Sequence, residues 1–178
     1  MRLLDPPSDQ PEIEVIDGRA VAKVSPRLTH GLVQVRLAAL LQAWAGTRGL
    51  VSIETRFRLS STPGKGNSFV PDISYVAIGR LLELDRTEIE EPPFAPDVAV
   101  EIWSPGDREQ NLRLKVERYL RFGASVVLDV RPSTRTMVAY DGGGSRTYRG
   151  SEILEHPALL GFRIAVHEVF ADIDRLPR

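Results

Sequence analysis

The stretch Pro96-Asp-Val-Ala-Val-Glu-Ile-Trp-Ser-Pro105 has at its centre, from Val98 to Trp103, an almost continuous apolar run. Apolar residues at both parities of a strand require cover on both faces, so this run belongs at the middle of a sheet. Glu101 is the exception within it. An ionised carboxylate in such a strand costs several kcal/mol, roughly, unless it is paired or bound to a metal. Glu101 is therefore either one half of a salt bridge, a protonated and hydrogen-bonded group at the edge of a core, or a metal ligand or general base.

The rest of the chain supplies the surrounding elements. Glu12 to Ile16 and Arg19 to Val24 flank Asp17-Gly18, a dipeptide suited to a type I′ turn, and predict an N-terminal hairpin. Ser25 can cap a helix with Pro26 at its first position, and Leu28, Leu32, Val33, Leu37, Leu40, Leu41 and Trp44 recur at helical spacing as far as Gly46. From Val51 the period is two: Val51, Ile53, Thr55, Phe57 and Leu59 alternate with Ser52, Glu54, Arg56 and Arg58, which predicts one half-buried strand. Phe69 to Ile78 reads as a strand entered through Pro71-Asp72. Residues 83–101 hold seven acidic side chains and one arginine, a solvated loop that leads into the central strand. Ser104-Pro-Gly-Asp107 breaks that strand and starts a helix with Leu112, Val116, Tyr119 and Leu120 facing the core, stopped by Gly123. Val126 to Val130 and Thr136 to Tyr140 follow as strands, then a short strand near Arg146 to Tyr148 and a helical segment from Val166 to Ala171. The pattern is α+β, a mixed central β-sheet flanked by helices, with residues 1–178 forming a single domain.

Composition removes several classes of function. The chain has no cysteine, which excludes disulfide frameworks, Cys-ligated zinc, iron–sulfur clusters and thiol nucleophiles. With 23 Lys+Arg against 24 Asp+Glu the formal charge is −1, so any contact with DNA must come from a local patch. Ile102 to Arg149 holds nine basic and five acidic residues, directly after the acidic segment. The start, Met1-Arg-Leu-Leu-Asp-Pro-Pro, lacks an apolar core for a signal peptide, and the uncharged stretch Leu37 to Thr47 is too short to span a bilayer. A soluble cytoplasmic protein is expected. His30, His156 and His167 have no HxH or HExxH spacing, and no G-x-S-x-G, P-loop or G-x-G-x-x-G occurs. His30 on the first helix can approach a cleft, but a lone histidine beside an apolar face reads more readily as structural.

The acidic and basic residues narrow the chemistry. Asp72 follows a proline at the entry to a strand, Pro96-Asp97 repeats the dipeptide before Glu101, and Glu54 lies on the polar face of another strand. Carboxylates that converge from adjacent strand ends make an oxygen-rich site suited to Mg²⁺ or Mn²⁺. Asp97 and Glu101 share a strand face but lie about 13 Å apart at ~3.3 Å per residue, which makes Asp97 the weaker ligand. The chain uses 20 Arg and only 3 Lys, Lys23, Lys65 and Lys115. Lys115 sits at the border of its helix's buried face, and a compact ammonium there can polarise a phosphate or help activate water.

These residues resemble the Uma-two family of endonucleases, whose fold is similar to that of PD-(D/E)XK restriction endonucleases. The resemblance runs from Ile13-Glu-Val-Ile-Asp-Gly-Arg through Ser25-Pro26, His30-Gly31, Glu54 and Pro71-Asp72. It is sharpest in Pro96 to Pro105 and in Lys115 with Tyr119, and it closes at Gly161-Phe162. It implies Asp72 and Glu101 as metal ligands, with Lys115 positioning water or stabilising charge on the phosphate; Glu54 and Asp97 are further candidate ligands. In the broader nuclease fold the lysine follows its glutamate in a Glu-x-Lys tripeptide; here Trp103 takes that place, and the resemblance implies a lysine moved to the next helix. Family members often carry acids where this chain has Asn111 and Arg131, which leaves its helix more basic.

The expected activity is Mg²⁺- or Mn²⁺-dependent hydrolysis of DNA phosphodiester bonds, with Arg108, Arg113 and Arg118 available to phosphates. The alternative is a nucleic-acid-binding or regulatory module that keeps the nuclease fold without efficient catalysis. A metal-dependent hydrolase acting on a small molecule is a third reading. A palindromic double-strand cutter needs a dimer, so a homodimer is the corresponding expectation.

Overall fold

The computed structural model describes residues 13–16, 19–22, 27–59 and 67–177. Strands β1 (Ile13–Ile16) and β2 (Arg19–Ala22) pair antiparallel as the predicted hairpin, whose Asp17-Gly18 turn lies outside the described residues. Helix α1 (Leu28–Ala45) follows, ended by Gly46 at a φ of 54°. It starts later than expected: Arg27 is the N-cap, and Ser25-Pro26 lie outside the described residues. Next come β3 (Gly49–Ile53), β4 (Phe57–Leu59), β5 (Asn67–Phe69) and β6 (Ile73–Ala77), then the short helices α2 (Ile78–Leu81) and α3 (Arg86–Glu90). Strand β7 (Val98–Ile102) is the apolar run, and α4 (Glu109–Arg121) connects it to β8 (Val126–Arg131), β9 (Thr136–Asp141) and β10 (Gly144–Arg149). The chain ends with the two-residue strands β11 (Ile153–Leu154) and β12 (Ile164–Ala165) and the single turns α5 (Val166–Val169) and α6 (Ala171–Asp174).

The central sheet has the order β10-β9-β8-β7-β6-β3. Strands β7 and β8 are parallel and the other pairs antiparallel, so the sheet is mixed, and α4 provides the crossover that a parallel pair needs. Every residue of β7 is buried because its two faces are covered by different layers. Val98, Val100 and Ile102 pack with Val33, Leu37 and Leu41 of α1. Ala99 faces the other way, into a core of Leu112, Val116 and Tyr119 of α4 with Phe57 and Phe69. Those two phenylalanines belong to a second, four-stranded sheet of order β2-β1-β5-β4, which lies on the α4 side.

The acidic segment is not the uninterrupted loop that its charge suggested. Asp85 caps α3 by accepting from the Thr87 and Glu88 amides, while the Glu88 side chain reaches back to the Asp85 amide. This capping box stabilises a turn of helix within a run too acidic to pack in a core. Among the described residues no helix is long and apolar enough to cross a membrane.

The predicted strand from Val51 to Leu59 is in fact two strands. The β3–β6 ladder ends at Ile53↔Ile73, and a separate β4–β5 ladder begins at Phe57↔Phe69. Between them residues 54–56 and 70–72 bend together, so the paired segments leave one sheet and enter the other. Pro71 lacks the amide that a continuous ladder would use. Opposite it, Glu54 adopts a left-handed φ of 51°. The bend breaks the period of two, and Ile53, expected inward, is exposed.

A left-handed backbone costs a residue with a Cβ on the order of 1 kcal/mol relative to glycine. Chemical denaturation of Glu54→Gly and Glu54→Ala should therefore find the glycine variant the more stable by about that amount, 1 kcal/mol. An alanine variant as stable as the glycine variant would contradict the assigned bend.

Candidate active site

The bend delivers two acids to one place. Asp72 and Glu54 sit where the two ladders part, next to the C-terminal end of β7 and the first turns of α1. A cleft of ≈ 230 Å³ opens there, lined by Glu14, His30, Asp72, Glu101 and Lys115 and by the loop that follows β7. Asp72 is buried and its Oδ2 accepts the Ile102 amide at 2.6 Å, which ties the bend to the central strand. Gln34 Nε2 donates to Glu54 Oε1 at 2.8 Å and to the Asp72 carbonyl at 2.9 Å, fixing the half-buried Glu54 beside it.

His30 lies one helical turn before Gln34, so α1 turns both to one side, His30 to the cleft and Gln34 to the two acids of the bend. Its Nδ1 is hydrogen-bonded to Ser104 Oγ at 3.0 Å. Its Nε2 makes no hydrogen bond and lies 3.6 Å from Asp72 Oδ1. One ligand atom from each of His30, Glu54 and Asp72 falls within 4.8 Å of the other two. An imidazole held through one nitrogen, with the other turned toward two carboxylates, is a suitable donor set for a divalent cation.

The other side of the cleft is organised around Lys115. Its Nζ donates to Glu101 Oε2 at 2.5 Å and lies 3.0 Å from Glu14 Oε1, while Tyr119 donates its hydroxyl to Glu101 Oε1 at 2.8 Å. Lys115 and Tyr119 are four apart on α4, which places both above the one acidic position of β7. Burial raises the Glu101 carboxyl to about 8; Lys115 opposes the rise, and the Asp72 and Glu14 carboxylates add to it. Burial alone would lower the Lys115 ammonium, but Glu101, Glu14 and Asp72 outweigh it and hold the group above the ordinary lysine range. Burial, then the charge on Glu101, pushes the Tyr119 phenol well up, so it remains a neutral donor.

The structure thus brings together Asp72, Glu101, Lys115 and Glu54. It does not bring Asp97 to them. Asp97 precedes β7 at its far end, where Oδ2 accepts the Ala77 amide at 2.8 Å and Oδ1 accepts from Arg80 at 2.9 Å. Arg108 lines the cleft, Arg113 lies 3.6 Å from Glu109 one turn earlier, and Arg118 donates to Glu117 at 3.1 Å. Arg131 is held by Asp129 and Glu109 and lies over the Trp103 ring at 4.6 Å. It neutralises Asp129, the buried register partner of Glu101 on β8.

Sequence reasoning missed His30, Gln34 and Glu14. The i, i+4 spacing of the polar His30 and Gln34 on one side of α1 was an available signal. Glu14 offered none, because in β1 the apolar Ile13 and Val15 claim the inward face by pattern, yet Ile13 is exposed and Glu14 buried.

The model of the Uma2 family, described as "Putative restriction endonuclease", matches residues 2–169. No curated protein matches the chain. Among solved structures, the crystal structure of a "putative nuclease belonging to DUF820" from Anabaena variabilis aligns with a TM-score of 0.79 at 20% identity, covering 93% of each chain. A likeness at that identity bears on the fold, the mixed sheet flanked by helices. The family match spans nearly the whole sequence, from residue 2 to residue 169, and the chain belongs to the Uma2 family.

Proposed function

We propose that this protein is a divalent-metal-dependent endonuclease that hydrolyses phosphodiester bonds in DNA. The observation that carries the reading is a charge imbalance. Glu14, Asp72 and Glu101 are buried around the cleft, Glu54 is half-buried beside them, and among the described residues Lys115 is the only buried cation. Carboxylates crowded in a low-dielectric site repel one another by several kcal/mol, roughly, unless a cation or a proton offsets them. The raised Glu101 carboxyl fits that excess, since a proton there takes the place of part of the missing positive charge.

Asp72, Glu54 and His30 would hold the metal, with Glu101 adjoining. Their mixed oxygen and nitrogen set favours Mn²⁺ over the harder Mg²⁺. A cation bound there supplies a water of lowered pKa and stabilises charge on the phosphate and the leaving oxygen. The protein's own groups do the rest. Lys115, kept charged by its carboxylates, faces the cleft as a fixed ammonium for a phosphate oxygen. Gln34 and the Ile102 amide orient the two acids, and Ser104 sets the His30 ring so that Nε2 points inward. Arg108 at the rim is placed to meet the neighbouring phosphate of the strand.

Calorimetric titration with Mn²⁺ should show binding to the wild type and none to Asp72→Ala. On plasmid DNA, Asp72→Ala should abolish cleavage while leaving salt-sensitive DNA retention in place, because phosphate contacts are separate from the metal. Cleavage at the wild-type rate by this variant would defeat the assignment.

The pH dependence follows from Glu101. A carboxyl raised to about 8 takes up a proton far more readily than an ordinary acid, and the metal competes with that proton. Mn²⁺ affinity should rise with pH and level off above about 8, with a proton released on binding at pH 7. Calorimetry in buffers of different ionisation enthalpy measures that release, and an affinity flat across this range would exclude Glu101 from the competition.

A further inference from the structure

Glu14 reaches the cleft from β1, at the expense of the burial of Ile13. Its Oε1 accepts the Val70 amide at 2.8 Å and lies 3.0 Å from Lys115 Nζ. A buried carboxylate delivered by a peripheral hairpin is a poor source of stability, because removing it from water costs about as much as its ion pair returns. Its position therefore calls for another role.

Lys115 contacts two carboxylates, Glu101 of the central strand and Glu14 of the first hairpin. Glu101 has both oxygens engaged, Oε2 by Lys115 and Oε1 by Tyr119. In this state it is not part of the cluster of His30, Glu54 and Asp72 whose ligand atoms lie within 4.8 Å of one another. For Glu101 to turn an oxygen toward a cation, the ammonium needs another anion to keep it in place. We propose that Glu14 is that anion, a positioning residue that retains Lys115 when Glu101 gives up its share to a divalent cation, so that the β1–β2 hairpin forms part of the active site. Nζ already lies within ion-pair distance of Glu14, so the exchange needs no displacement of α4. With glutamine in place of Glu14, Lys115 keeps Glu101 as its one carboxylate in direct contact among the described residues, and a cation must compete with the ammonium for the same oxygen. The inference rests on the metal-dependent reading proposed above.

The test is Mn²⁺ affinity measured by calorimetry on the full chain for wild type, Glu14→Gln, Lys115→Met and the double variant. Glutamine keeps an oxygen for the Val70 amide and removes only the charge. Glu14→Gln should weaken Mn²⁺ binding about tenfold when Lys115 is present, a coupling of ordinary size for groups in contact. In the Lys115→Met background, where no ammonium competes, the same change should have little effect, and Glu14→Asp should restore part of the affinity. An equal loss in both backgrounds would overturn the proposal, since Glu14 would then act only as a remote negative charge. Wild-type affinity in Glu14→Gln would overturn it as well, while leaving the metal reading intact. A wild type that binds no Mn²⁺ removes the metal reading and this inference with it. Should Glu14→Gln fail to fold, Glu14→Ala with and without Lys115→Met carries the same comparison, and an equal loss in both backgrounds overturns the proposal.

Discussion

The buried pair between Glu101 and Lys115 is the contact on which the rest of the architecture turns. A central strand that is apolar on both faces can carry one acid only if the layer above it supplies a cation at that position. Helix α4 does so with Lys115, and with Tyr119 one turn later it satisfies both carboxylate oxygens. The pair therefore sets where α4 lies along β7, and the apolar neighbours Leu112 and Val116 pack on either side of it. A charge pair of this kind adds little net stability, but it penalises any other register of helix on sheet, because a shift leaves both charges buried and unpaired.

The second constraint is the paired bend at Glu54 and Pro71-Asp72. Two ladders meet there at an angle, and the backbone of Glu54 is held in a conformation that glycine would adopt more easily. Strain at a point that also carries a candidate ligand is what a site optimised for placing a carboxylate, and not for stability, would show. The supporting contacts fit that view. Gln34 bridges Glu54 to the Asp72 backbone, and the Asp72 side chain is anchored to the amide of Ile102, so the bend is tied to the central strand.

The two halves of the cleft are consequently built differently. On one side α1 and the bend assemble His30, Glu54 and Asp72 into a donor set with a nitrogen turned toward two carboxylates. On the other, β7, α4 and the first hairpin surround one ammonium with Glu101 and Glu14. Glu101 lies at the seam, and its carboxyl is raised first by burial and then by the carboxylates of Asp72 and Glu14.

Periodicity and composition determined the layers. The apolar run of β7 required cover on both faces, the helical spacing from Leu28 to Trp44 marked α1, and the scarcity of lysine singled out Lys115, because each is a local property of the chain. Asp72 at a strand entry, Glu101 inside an apolar run and Glu54 on the polar face of a strand stood out for the same reason. Which acids converge was decided only in three dimensions. Asp97 repeats the Pro-Asp dipeptide of Asp72 and yet closes a salt bridge with Arg80 at the far end of β7, because a strand's length separates it from Glu101. His30 and Glu14 enter the cleft because a helix and a hairpin distant in sequence dock against the bend, and no alternation in their own segments records that docking. Local pattern fixes which faces are apolar, whereas the direction of a polar side chain depends on the partner that tertiary packing brings to it.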